Sequence, residues 1–213
     1  MQIRLESVVP TYFEREKSGA SGIWGKNISF NTGEHIHIVA PSGSGKTSLI
    51  HFIYGLRNDY SGDVFFDDQN IRNINPDELS VYRQKNISIV FQDLRLFHDH
   101  TVRHNLELKR QLNPYHPSSK AEEMAKRLGI SSRMEKLAKT CSYGEQQRIA
   151  IIRSLLQPFD FLLLDEPFSH LDDANRTKAM ELISEECILR NAAMIFADLK
   201  MLDFFDGDKI YEL

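Results

Sequence analysis

Ala40-Pro41-Ser42-Gly43-Ser44-Gly45-Lys46-Thr47-Ser48 decides the fold. It follows the strand-like run His35-Ile36-His37-Ile38-Val39 and precedes a helix expected to begin near Lys46. Successive backbone N–H groups in so tight a loop form an anion-binding nest, and the helix start adds the positive end of its dipole. Gly43 and Gly45 permit backbone angles that a Cβ would obstruct and allow phosphate oxygens to approach the main chain. Lys46 supplies a mobile positive charge for the β- and γ-phosphates of a nucleotide, and the Thr47 hydroxyl is placed to ligate Mg²⁺ between them. Ala40 stands where such loops usually begin with glycine. Its methyl group is expected to cost a little backbone freedom and to leave the phosphate ligands untouched.

Working outward, residues 2–9 and 23–30 read as strands of an antiparallel edge layer, with a polar turn or loop between them around residues 14–21. Further strands are expected at residues 63–66, 87–91, 161–164 and 193–196, the last two bracketing a helical stretch over residues 174–190. Strands alternating with helices imply a mainly parallel sheet. From Leu94 to Thr140 the pattern is helical and charged, which reads as an inserted helical subdomain. The expected organisation is one α/β domain over residues 1–213. Residues 1–92 and 141–213 form its core and β layer, and residues 93–140 form the helical subdomain.

Composition narrows the functional classes. A formal net charge of -4 gives no broad attraction to phosphate backbones, so nucleic acid is not an expected partner. Two cysteines, Cys141 and Cys187, are too few for a disulfide framework, and a reducing cytosol is the simplest setting. No apolar run approaches the ~20 residues that span a bilayer, so any membrane role is expected to pass through another subunit. His98, His100 and His104 lack an apparent fourth metal ligand and read as a solvated helix entry.

Phe161-Leu162-Leu163-Leu164-Asp165-Glu166-Pro167 supplies what the phosphate loop lacks, an apolar strand ending in two adjacent carboxylates. Because neighbouring strand residues point to opposite faces, Asp165 is expected to aim at the Mg²⁺ shell. Glu166, at the strand exit, is expected to face the attacking water as general base.

Cys141-Ser142-Tyr143-Gly144-Glu145-Gln146-Gln147-Arg148 resembles the signature segment of the ABC ATPases, whose pattern is Leu-Ser-Gly-Gly-Gln or Glu. Ser142, Gly144, Glu145 and the following Gln-Gln-Arg match it; Cys141 and Tyr143 depart from it. A serine hydroxyl and free amides at a helix start make a second anion-binding end. In the family this end serves the nucleotide held by a second copy, so the resemblance implies a P-loop NTPase of ABC ATPase fold that closes as a homodimer around two ATP molecules with Mg²⁺. Gln92, closing Ser88-Ile89-Val90-Phe91, resembles the glutamine that senses Mg²⁺ and the γ-phosphate, and Ser169-His170-Leu171-Asp172 resembles the loop that crosses the dimer interface. Tyr12, with Phe13 as the alternative, is the aromatic that would stack on adenine.

The segment from Ile87 to Leu106 is similar to the bacterial group that includes the cell-division ATPase FtsE and the lipoprotein-release ATPase LolD. That likeness implies an integral membrane, permease-type partner and a peripheral place on the cytoplasmic face of the cell membrane. One departure bears on catalysis. The family carries a histidine that contacts the γ-phosphate after the strand corresponding to residues 193–196, whereas Met194-Ile195-Phe196-Ala197-Asp198-Leu199-Lys200 puts Leu199 there. The loss of one donor to a transferring phosphoryl group costs ~10²-fold or more in rate. Two functions therefore stand: an ATPase motor subunit, and a nucleotide-dependent binding switch with weak hydrolysis. A P-loop kinase would have no use for the Ser142 to Arg148 segment, and the twin cassettes of soluble translation or repair ABC proteins are not found.

Overall fold

A computed structural model describes residues 1–13, 21–201 and 207–213. All but Ser21 of the turn expected at residues 14–21 lies outside the described residues. Two sheets organise the rest. The first is antiparallel, in the order β2-β1-β4-β5, and comprises β1 (Gln2–Pro10), β2 (Asn27–Asn31), β4 (Tyr60–Phe66) and β5 (Gln69–Asn70). The second is parallel throughout, in the order β6-β7-β8-β3-β9, from β3 (His35–Val39), β6 (Ile87–Val90), β7 (Phe161–Asp165), β8 (Ala193–Asp198) and β9 (Lys209–Glu212). β6 and β7 are buried along their whole length, as a sheet covered on both faces requires.

The order of the second sheet positions the site. β8 lies between β3 and β7 and pairs with both, with Val39 opposite Asp198 and Asp165 opposite Ala197. Three parallel strands thus deliver their C-terminal ends side by side, the place where open α/β sheets bind ligands. α1 (Lys46–Ile53) leaves β3 and buries Leu49, Ile50, Phe52 and Ile53 between the two sheets.

α3 (Val102–Leu112) and α4 (Ser118–Arg127) fall in the region read as helical, and their buried Val102, Leu106, Ala121, Met124 and Ala125 join the core formed by α5 (Tyr143–Leu155) and α6 (Asp173–Arg190). α2 (Pro76–Lys85) buries no residue and starts on an Asn75 cap with proline at the first turn.

One expected strand is shorter than read. Residues 23–26 turn before β2 because the Ser21 hydroxyl accepts hydrogen bonds from the N–H groups of Ile23 and Trp24, and Gly25 takes a φ of 73°.

Candidate functional site

The loop after β3 is held from three sides. Ala40 N–H donates to the Asp198 carbonyl at 3.1 Å, the Ser44 hydroxyl donates to the Pro41 carbonyl at 2.9 Å, and the Trp24 indole N–H donates to the Ser44 carbonyl at 3.2 Å. Gly45 caps α1 at φ 96°, where a Cβ would meet the Phe13 and Trp24 rings at 3.0 Å. Only glycine fits both that angle and that contact. Gly43 is also left-handed, at φ 81°, but faces open space. Ala40 is buried and is not among the residues at positive φ, so its methyl group exacts no backbone strain.

Lys46 is 4% exposed. Its Nζ donates to the carbonyls of Ala40 at 2.8 Å and Pro41 at 3.1 Å, and lies 3.6 Å from the Glu166 carboxylate. Thr47 Oγ1 donates to Gln92 Oε1 at 3.2 Å, and Gln92 Nε2 donates to Glu166 Oε2 at 3.4 Å. Lys46, Thr47, Gln92 and Glu166, drawn from three separate segments, are one connected set. Together with Tyr12, Phe13, Ser42, Gly43, Gly45 and Ser48 they line a cleft of about 270 Å3.

The two carboxylates do not divide by alternation. β7 ends at Asp165, and Glu166 takes the left-handed region at φ 46°, with its N–H bonded to the Ala197 carbonyl. For a residue with a Cβ that conformation costs on the order of 1 to 2 kcal/mol. It turns the Glu166 side chain back toward Lys46 and Gln92 instead of away from them. Asp165 is 1% exposed, and neither of its oxygens has a hydrogen-bond partner among the described residues. Burial first, then the Glu166 charge, pushes its carboxyl up to about 6, partly offset by the nearby Thr47 hydroxyl and Lys46. Asp165 shares a second hollow with Thr47 and Gln92. A buried carboxylate without partners, beside a hydroxyl and an amide oxygen, is an all-oxygen donor set suited to a hard divalent cation such as Mg²⁺.

The sequence pattern of the ABC transporter family matches residues 25–169. This chain belongs to the ABC transporter family. It is 35% identical over 164 residues to the thiamine import ATP-binding protein ThiQ of Haemophilus influenzae, covering 76% of this chain and 74% of ThiQ. It is 29% identical over 177 residues to the lipoprotein-releasing system ATP-binding protein LolD of Buchnera aphidicola, covering 81% and 78% of the two chains. Among solved structures, the dimeric bacterial ABC transporter cassette MJ0796 superimposes with a TM-score of 0.82 at 27% identity, covering 99% of this chain and 94% of the other. The same cassette is also known as a dimer in a post-hydrolysis state bound to ADP and Pi, with a TM-score of 0.80 at 25% identity over 93% of this chain and 88% of the other.

The segment that resembles the ABC signature lies at the start of α5, and of it Tyr143 lines the hollow at Asp165. Ser142 caps the helix: its hydroxyl accepts from Glu145 N–H at 3.3 Å while the Glu145 carboxylate accepts from Ser142 N–H at 2.8 Å. Arg133 donates to the same carboxylate, so the Glu145 side chain is committed within its own chain. Gly144 lets the helix start close on the His170 carbonyl, which a Cβ would meet at 2.9 Å. Tyr143, where the family has glycine, donates from its hydroxyl to the Gln92 carbonyl at 3.2 Å and packs on the His170 ring.

Tyr12 lies at the cleft mouth, with its hydroxyl on Ser48 and its ring under the Arg57 guanidinium; Phe13 turns inward onto Trp24. Two site residues were not singled out from sequence. Trp24 braces the phosphate loop. Gln147, 1% exposed, donates to the Glu166 carbonyl and the Ser169 hydroxyl and accepts from His170 N–H, pinning α5 to the turn after β7. The Gln-Gln-Arg run after the signature was the available signal for Gln147. Leu199 is 44% exposed and lies with Glu166 and Asp198 along a third hollow. It brings no side-chain donor to that edge.

Proposed function

We propose that this chain is the ATP-binding subunit of a membrane ABC system, closing as a homodimer around Mg·ATP and hydrolysing it slowly to drive or regulate an integral membrane partner. The observation that carries this reading is the convergence of Lys46, Thr47, Gln92 and Glu166 on one cleft, with Asp165 in a second hollow that shares Thr47 and Gln92. Lys46 holds the phosphates, exchanging its present carbonyl partners for phosphate oxygens, while the loop amides from Ser42 to Ser48 cradle them. Tyr12 offers its ring to the adenine at the cleft mouth. Thr47, Asp165 and Gln92 would hold Mg²⁺, which when bound neutralises charge developing on the transferred phosphoryl group. Glu166 accepts a proton from the attacking water, its carboxylate kept in place by Gln92 and Lys46.

Ser142, Gly144 and Glu145 line neither the cleft nor the hollow at Asp165. Their open helix start therefore serves a nucleotide held by a second copy, and this supports the head-to-tail homodimer. No helix among the described residues is long and apolar enough to cross a membrane, and a net charge of -4 offers no broad surface for nucleic acid. The membrane contact thus runs through a permease-type subunit, on the cytoplasmic face of the cell membrane. We place that contact at the groove between β6 and α3. Leu94 and Arg95, two and three residues after Gln92, are both left-handed, at φ 57° and 46°, so movement at the groove bears on a strained hinge beside the site. The process served is of the export, lipoprotein-release or cell-division type.

A second reading rests on Leu199. Without a donor at that position, nucleotide occupancy alone would assemble the complex and hydrolysis would be incidental. Glu166→Gln decides between the two. In a motor subunit it lowers turnover by about 10²-fold or more while leaving the affinity for a fluorescent ATP analogue unchanged. In a pure switch, turnover of the parent protein is already so slow that the substitution changes nothing.

A further inference from the structure

α5 begins with Tyr143 and carries Gln147 one turn further on. Side chains at that spacing share a face of a helix, and here the two reach separate segments of the site. Gln147 holds the turn after β7, donating to the Glu166 carbonyl at 3.3 Å and to the Ser169 hydroxyl at 3.2 Å. Tyr143 holds the loop after β6, its hydroxyl donating to the Gln92 carbonyl at 3.2 Å. The Tyr143 ring is backed by the His170 imidazole, with centroids 4.2 Å apart, and His170 N–H donates to Gln147 Oε1 at 3.1 Å. Tyr143, His170 and Gln147 thus form one brace between the main chains of Gln92 and Glu166.

The side chains of those two residues meet as well. Gln92 accepts from Thr47 Oγ1 and donates to Glu166, and Tyr143 lines the hollow that Thr47, Gln92 and Asp165 share. Gln92 lies beyond the last rung of the ladder between β6 and β7, Val90 with Leu164, so the sheet does not fix its main chain. The bond from Tyr143 restrains the peptide unit from which the Gln92 side chain is aimed. Arg153, at the other end of α5, donates to the Leu94 and Arg95 carbonyls at 2.6 and 2.7 Å. That second clamp keeps the loop in place when the tyrosine hydroxyl is removed. Glycine, the family's residue at this position, has no side chain with which to make the bond.

We propose that Tyr143 is a positioning residue for the cation hollow: it fixes the Gln92 main chain so that Gln92 Oε1 stays beside Thr47 Oγ1, with both oxygens presented to the metal. The proposal rests on the functional reading above and deepens it by adding a residue that acts through Gln92. One helix start then serves two nucleotides, Ser142 that of a second copy and Tyr143 that of its own chain. Groups that orient metal ligands from behind contribute to metal affinity although they never touch the ion.

The test compares the affinity of the full chain for a fluorescent, non-hydrolysable ATP analogue in Mg²⁺ and in EDTA, the ratio being the gain that the cation confers. Tyr143→Phe keeps the ring on His170 and loses only the hydroxyl. In it that gain is expected to fall about fivefold, while the affinity in EDTA stays as in the parent. In Gln92→Ala the gain should already be reduced, and adding Tyr143→Phe should change it no further. A gain undiminished in Tyr143→Phe overturns the proposal and leaves the metal ligands as assigned. Equal losses in Mg²⁺ and EDTA overturn it too, because Tyr143 would then support the nucleotide cleft at large, and so does an additive loss in the double variant. Parent protein that gains nothing from Mg²⁺ removes the metal reading of the hollow itself, and the positioning role with it.

Discussion

β7 and β8 lie side by side in the same sheet and end at the same edge, yet they finish very differently. β7 closes on Asp165 and Glu166, one buried without a partner and the other bent back onto Lys46 and Gln92. β8 closes on Asp198 and Leu199, where Leu199 N–H donates to the Asp198 carboxylate, the Asp198 carbonyl accepts from Ala40 N–H, and the leucine side chain is exposed. The Asp198 carboxyl is itself pushed up, first by burial and then by the Glu166 charge, and partly held back by the bond from Leu199 N–H. Under the proposed function, nucleotide affinity should follow the first strand end and the rate of hydrolysis the second.

Breaking the first strand end has the largest effect. Lys46→Ala removes the buried cation and should weaken ATP binding by about a hundredfold, measured by titration with a fluorescent analogue. Repairing the second should move rate alone. Leu199→His is expected to raise turnover by ~10²-fold with ATP affinity unchanged in steady-state kinetics. Parent protein that already turns over as fast as the variant would remove the contrast between the two ends.

The smallest effect is on stability and isolates Asp165. Its carboxyl titrates near 6 in the fold against an ordinary 3.8, so the folded state keeps a proton that the unfolded chain releases between those values. Nucleotide-free protein accordingly loses stability as pH rises through that window, and the loss is complete above it. Asp165→Asn should recover up to about 3 kcal/mol at neutral pH. That is a gain of several degrees in the nucleotide-free melting temperature. The gain should fade as pH falls toward 3.8, and Mg²⁺ should no longer add stability in the presence of ATP.

Local pattern announced the parts that local physics controls. The phosphate loop, the buried β3, β6 and β7 and the capping serine of α5 each declare themselves within a few residues, because turn chemistry, burial and capping act over that range. What stayed hidden depends on distant partners. Trp24 lies in a run that alternates like a strand and turns only because Ser21 binds two of its N–H groups. α2 buries nothing, so apolar periodicity carries no trace of it. The left-handed Glu166 was invisible to an argument from strand alternation, since the backbone leaves the strand at that residue. The apolar groove lined by Phe97, Leu108 and Leu112 arises from segments far apart in sequence, β6, α3 and α5, and no one of them signals it.

The proposed sandwiching of each nucleotide between Lys46 of one copy and Ser142 of the other is tested most directly by the mass of Glu166→Gln in solution. Analytical ultracentrifugation with saturating Mg·ATP should show the monomer replaced by a species of twice its mass, and Ser142→Arg in the same background should return it to monomer without loss of nucleotide binding. Glu166→Gln protein that stays monomeric while titration shows every site filled would contradict the account.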